Sequence, residues 1–118
     1  CIGGMLTMME ITNDPEKQAA FKAEQEALRL SLVKRAETFT KEAQEVGLKI
    51  CPYHSGFFIT VPTKDEQEAA DIAAIMRESD IFVVPLGAGL RVAICAIPEE
   101  QIAGMATKFK AAFDKLNA

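Results

Sequence analysis

With one histidine and three cysteines in 118 residues, the sequence lacks the side chains for a zinc site or a disulfide scaffold. Cys1, Cys51 and Cys95 are odd in number and form no Cys-x-x-Cys pair, so reduced thiols and a cytoplasmic setting are expected. No apolar run approaches the roughly 18–20 residues of a membrane span. Cys1-Ile2-Gly3-Gly4-Met5 has neither the charged start nor the long apolar centre of a signal peptide. Clustered cations are missing too: 13 Lys and Arg alternate with 17 Asp and Glu, for a net charge of -4. Phosphate backbones need basic patches, so no nucleic-acid partner is expected. There is no internal repeat, low-complexity tract or linker, and a single domain over residues 1–118 is expected. The chain does not begin with methionine, and excision from a longer polypeptide is the expectation.

What is present is helix and strand patterning. Met5 to Thr12 is a short apolar piece whose period fits either element. Asn13-Asp14-Pro15 is a helix start, because Asn or Asp can cap and Pro suits the first turn. From there to Val46 no Gly or Pro intervenes, and Phe21, Leu28, Leu32, Ala36, Phe39, Ala43 and Val46 recur at helical spacing. One buried face along a long helix is predicted, stopped by Gly47. Leu48 to Cys51 and Gly56 to Val61 read as short strands. Thr63-x-x-Glu66 predicts a capping box opening a helix that carries Ala69, Ile72, Ala73 and Met76. Ile81 to Val84 should be a buried strand, Pro85 to Gly89 a turn, and Leu90 to Ile97 a further strand. A last helix from near Pro98 keeps Ile102, Met105, Ala106, Phe109, Phe113 and Leu116 on one side. The expected fold is α/β in the two-layer α+β sense: about four strands packed against helices, with a long leading helix.

Arg91 is the only charged side chain between Ile81 and Ile97. Strand alternation puts it with Ala93 and Cys95, opposite Leu90, Val92 and Ile94. A desolvated guanidinium needs an anion, and its planar fork suits a carboxylate. The alternatives are an arginine that reaches water or one paired with a helix glutamate. Phe57 and Phe58 fall on opposite faces of their strand. At least one belongs to the core, and the other either joins it, as aromatics commonly do, or walls a ligand cleft. Gly87-Ala88-Gly89 is followed by a strand, not the helix a phosphate cradle needs. Ser31-x-x-Lys34 lies mid-helix without companion motifs, and His54 has no Ser or Cys partner by motif. No catalytic constellation or metal-ligand spacing is present.

Several strings resemble the small domain of the fold-type I aminotransferases, the aspartate and aromatic amino acid aminotransferase family. Asn13-Asp14-Pro15-Glu16 is similar to the start of that family's long helix. His54-Ser55-Gly56-Phe57-Phe58 resembles its Gly-Met/Phe-Phe segment, and Pro85 to Ala93 its Pro-x-Gly-Arg-x-Asn-Val region. Pro98-Glu99-Glu100-Gln101-Ile102 matches the start of its C-terminal helix. The resemblance implies that Arg91 grips the substrate's α-carboxylate and that Phe58 borders the substrate. It implies pyridoxal phosphate as the parent enzyme's cofactor, an amino acid and a 2-oxo acid as substrates, and a homodimeric parent. The family's Schiff-base lysine and cofactor-phosphate groups match no position here. The large pyridoxal-phosphate-binding domain is therefore expected to be absent and the fragment alone inactive. Leu90 and Ala93 stand where the aspartate branch has Gly and Asn, which leaves aromatic and other amino acids open as substrates. A free-standing regulatory module that binds an amino acid at Arg91 is a second reading. A helical pairing module is a third, disfavoured by irregular charge patterning along the long helix. An apolar face left by a missing domain would drive self-association.

Overall fold

A computed structural model describes every residue from Cys1 to Ala118. Contacts gather into two units, Cys1–Ser31 and Leu32–Ala118. In the first, residues 5–12 are helical, as part of α1 (Ile2–Asn13). Asp14 then interrupts the helix, and its carboxylate accepts from the N–H groups of Glu16 (2.9 Å) and Lys17 (3.2 Å). Pro15 opens α2 (Pro15–Glu45) at a position where a helix leaves its N–H unused. α1 buries nothing, and Ile2, Met5, Leu6, Met8 and Met9 are all at least half exposed. The predicted buried stripe also fails in this unit, because Phe21 and Leu28 are exposed. Periodicity defines a face, but packing must cover it.

In the second unit the stripe holds: Ala36, Phe39 and Ala43 are buried. Gly47 stops the helix at φ +70°. Three antiparallel strands follow, in the order β1 (Phe58–Pro62), β3 (Gly89–Ala93), β2 (Val84–Pro85), one fewer than expected. Leu48 to Cys51 is not a strand. Only the Cys51 N–H reaches Thr60 O (2.8 Å), and Pro52 has no N–H to continue a ladder. The Ile81–Val84 segment pairs only from Val84, and its Phe82 and Val84 are exposed rather than buried. β3 ends at Ala93, and Ile94–Ala96 turns into a 3-10 helix instead of extending the strand.

Alternation across β1 and β3 sorts the sheet's faces. Ile59, Val61, Leu90 and Val92 are fully buried, and Arg91 pairs with Thr60 on one side and Val84 on the other. A one-residue slip would turn Leu90 and Val92 outward and Arg91 inward. Each large apolar side chain contributes about 1.5–3 kcal/mol when buried, so the register is firmly set.

Helices α3 (Glu66–Arg77) and α5 (Met105–Leu116) pack against each other, and α3 also meets β2 and β3. Phe39 meets Phe109 edge to face, with centroids 6.2 Å apart. α3 is capped at Asp65, two residues later than the predicted capping box, and only half of that box forms. Asp65 accepts from Glu68 N (2.9 Å), and the Glu68 carboxylate accepts from Lys64 N (2.5 Å). Thr63 is still tied to the hairpin through Ala88 O (3.0 Å), so the helix cannot start there. The last helix is broken: α4 (Glu99–Ile102) ends, Gly104 turns at φ +86°, and α5 restarts. Gly104 offers α5 no side-chain cap. Glu42 of α2 supplies one, accepting from Gly104 N (2.8 Å), Thr107 N (3.0 Å) and Thr107 Oγ1 (2.5 Å).

Candidate functional site

The sheet face opposite the core carries Phe58, Thr60, Val84, Arg91 and Ala93. Arg91 sits in the central strand, flanked by Thr60 and Val84. Its guanidinium carbon lies 4.6 Å from the centroid of the Phe58 ring, a cation–π contact worth about 0.5–1 kcal/mol at a partly exposed site. No carboxylate of the chain pairs with it, since all five ion pairs involve other residues. Arg91 Nε is buried without a hydrogen-bond partner. Half-buried, with its fork unclaimed, this side chain can receive a carboxylate through two parallel hydrogen bonds.

Phe58 is 44% and Phe57 56% exposed, and the two rings meet edge to face at 6.5 Å. The expectation that at least one lies in the core is therefore corrected. β1 begins only at Phe58, and Phe57 lies before it, off the packed face. Cys95 does not share the Arg91 face as a strand residue, because the 3-10 turn carries it away. His54 is exposed, and the three cysteines are free. Ser31 and Lys34 lie on α2, where Lys34 pairs with Glu99 (2.5 Å).

A cleft of about 550 Å³ lies between the Ile81–Val83 segment and Val92, Ala93, Ile97 and Met105, and neither Arg91 nor Phe58 lines it. A small ligand at Arg91 would meet the Phe58 ring beside the guanidinium.

Sequence reading missed Arg35, which comes from α2 and donates through Nη1 to Cys95 O (3.1 Å) and Ile94 O (3.4 Å). These carbonyls lie just past the strand that holds Arg91. In the sequence Arg35 is one charge among many on a helix, and no local signal marks it.

A chain that anchors pyridoxal phosphate needs a lysine in a shielded pocket. The residues present do not fit that group: eight of the nine lysines are exposed and Lys110 is half-buried. Lys17, Lys34, Lys110 and Lys115 are held by carboxylates. No helix is long and apolar enough to cross a membrane.

The family model for aminotransferase class I and II matches residues 3–109. The crystal structure of an aminotransferase from Anaerococcus prevotii is similar, with a TM-score of 0.78 and 34% sequence identity over 90% of this chain. The chain spans 24% of that enzyme's length. No curated protein matches significantly.

Proposed function

Because the chain belongs to the class I and II aminotransferase family, we propose that it is the C-terminal small domain of an enzyme that moves an amino group between an amino acid and a 2-oxo acid. Arg91 is its substrate-binding residue and takes the α-carboxylate. Phe58 borders the same substrate and supports the guanidinium from one side. In such an enzyme pyridoxal phosphate supplies the electron sink for the reaction. The groups that hold it belong to the large domain, outside this segment, which leaves the segment inactive by itself.

The observation that carries this reading is the half-buried Arg91 guanidinium on the sheet face opposite the core, its Nε unpartnered and no protein carboxylate against it. A freely solvated arginine would not need a phenyl ring beneath it and a buried Nε. When the large domain closes over Arg91, it excludes water and fixes the substrate's reacting carbon relative to the guanidinium. The exposed Ile, Leu and Met side chains of α1 support association with further protein surface, in keeping with a homodimeric parent. Three free thiols support a reducing, cytoplasmic setting.

The test is Arg91→Lys in the complete enzyme. One ammonium cannot reproduce two parallel bonds, so kcat/KM should fall roughly 100-fold. A value within about twofold of the parent would remove Arg91 from the site.

A further inference from the structure

Where β3 leaves the sheet, the chain is held by α2 and not by a strand. The last β1–β3 pair is Phe58 with Ala93, and β2 reaches only to Arg91. Beyond Ala93 the backbone turns into the 3-10 helix, and Arg35 closes on it, with Nη1 donating to Cys95 O and Ile94 O. One residue earlier on α2, Lys34 pairs with Glu99 at the start of α4 (2.5 Å). Two neighbouring cations on one helix turn thus grip both ends of the segment from Ile94 to Glu99. No carboxylate competes for Arg35, whose Nε is buried without a partner. A cation on the carbonyls of a short helical turn is also favoured by the partial negative charge there.

We propose that Arg35 is a positioning residue for Arg91: by holding the carbonyls of Ile94 and Cys95 it fixes the exit of β3, and with it the placement of the Arg91 fork. The proposal rests on the reading in which Arg91 takes the substrate's carboxylate. Ile94 is three residues from Arg91, roughly 10 Å along an extended strand. On its β2 side that strand has only the short Val84–Pro85 ladder. Past Arg91 it is held by the Ile59–Val92 and Phe58–Ala93 pairs with β1, by the buried side chains of Val92 and Ile94, and at its exit by the Arg35 anchor. A bidentate pair tolerates little displacement, because both parallel hydrogen bonds to the carboxylate must stay aligned for it to bind.

The experiment uses the complete enzyme with its cofactor and compares Arg35→Gln, Arg35→Lys, Arg91→Lys and the double variant Arg35→Gln/Arg91→Lys. Arg35→Gln should raise KM for both amino acid and 2-oxo acid about tenfold, with kcat and the cofactor's absorbance changed less than about twofold. Arg35→Lys, which keeps one charged donor, should recover to within about threefold of the parent and covers the case in which the glutamine variant does not fold. In the double variant KM should be no worse than in Arg91→Lys alone, because Arg35 acts through Arg91. A merely structural role would lower the melting temperature and leave KM unchanged, or would multiply with Arg91→Lys. Either result overturns the positioning role while the carboxylate role of Arg91 stands. If Arg91→Lys is itself without effect, the carboxylate reading falls and takes this inference with it.

Discussion

Replacing Glu42 should unfasten α5, and the size of the effect follows from its three hydrogen bonds. In an ordinary capping box, the N-cap side chain takes the N–H three residues on, and a Glu or Gln there returns the favour to the N-cap N–H. α5 has Gly104 at its N-cap and Thr107 three residues later, and neither can do this. The Glu42 carboxylate, 62 and 65 residues away in sequence, accepts from both N–H groups and from the Thr107 hydroxyl. Losing a cap costs about 1 kcal/mol, and hydrogen bonds to a charged acceptor contribute roughly 1.5–3 kcal/mol. Glu42 is half-buried, and part of that charge contribution is screened, so Glu42→Ala should destabilise by about 2 kcal/mol. Glu42→Gln, which keeps one acceptor oxygen, should lose about half as much. In urea, circular dichroism should show the alanine variant's midpoint lower by about 1 M with an unchanged slope, and Tm lower by on the order of 10 °C. A midpoint within about 0.2 M of the parent would mean that the carboxylate contributes nothing to holding α5.

Two further outcomes concern the chain alone. Tyr53 is the only tyrosine and there is no tryptophan, so phenolate absorbance reports one group. Burial pushes the Tyr53 phenol above its ordinary value, and its titration midpoint should exceed about 10. The sign is that of a proton held more tightly when folded: the contribution is intact below pH 10 and is lost as pH rises through the folded value, and Tyr53→Phe should abolish that alkaline loss. A midpoint at or below 10 would contradict it. Calorimetry of the isolated chain with an amino acid should detect no binding at millimolar concentration, because under the proposed function the segment carries only part of the substrate site. Appreciable affinity would instead favour a self-sufficient binding module.

Much of the framework was legible because it is local. Asp14-Pro15 opens α2, Gly47 ends it, and Leu90, Val92 and Ile94 are buried opposite Arg91 as alternation requires. The chemistry of strand ends was less legible. Ile94 keeps its inward place although it lies in a 3-10 turn, and the Leu48–Cys51 segment is apolar enough for a strand yet finds one hydrogen bond. Burial of whole faces was misread where no other element covers them, as for Phe21, Leu28, Phe57 and Phe58. Period tells which residues share a face, not what lies over it. Glu42 and Arg35 were invisible for a different reason. Each acts on backbone groups about 60 residues away, and backbone groups leave no mark on a sequence pattern. At the candidate site Arg91 stood out as the single charge in an apolar stretch, whereas its placement over Phe58 needed the β1–β3 register.

The most direct measurement is a structure of the complete enzyme with a substrate-like carboxylate bound. Both carboxylate oxygens should lie about 2.7–2.9 Å from two nitrogens of Arg91, side by side in its plane, with Phe58 still beneath the guanidinium. A carboxylate bound elsewhere, with Arg91 turned to solvent or taken by an acidic side chain of the enzyme, would contradict the account at its centre.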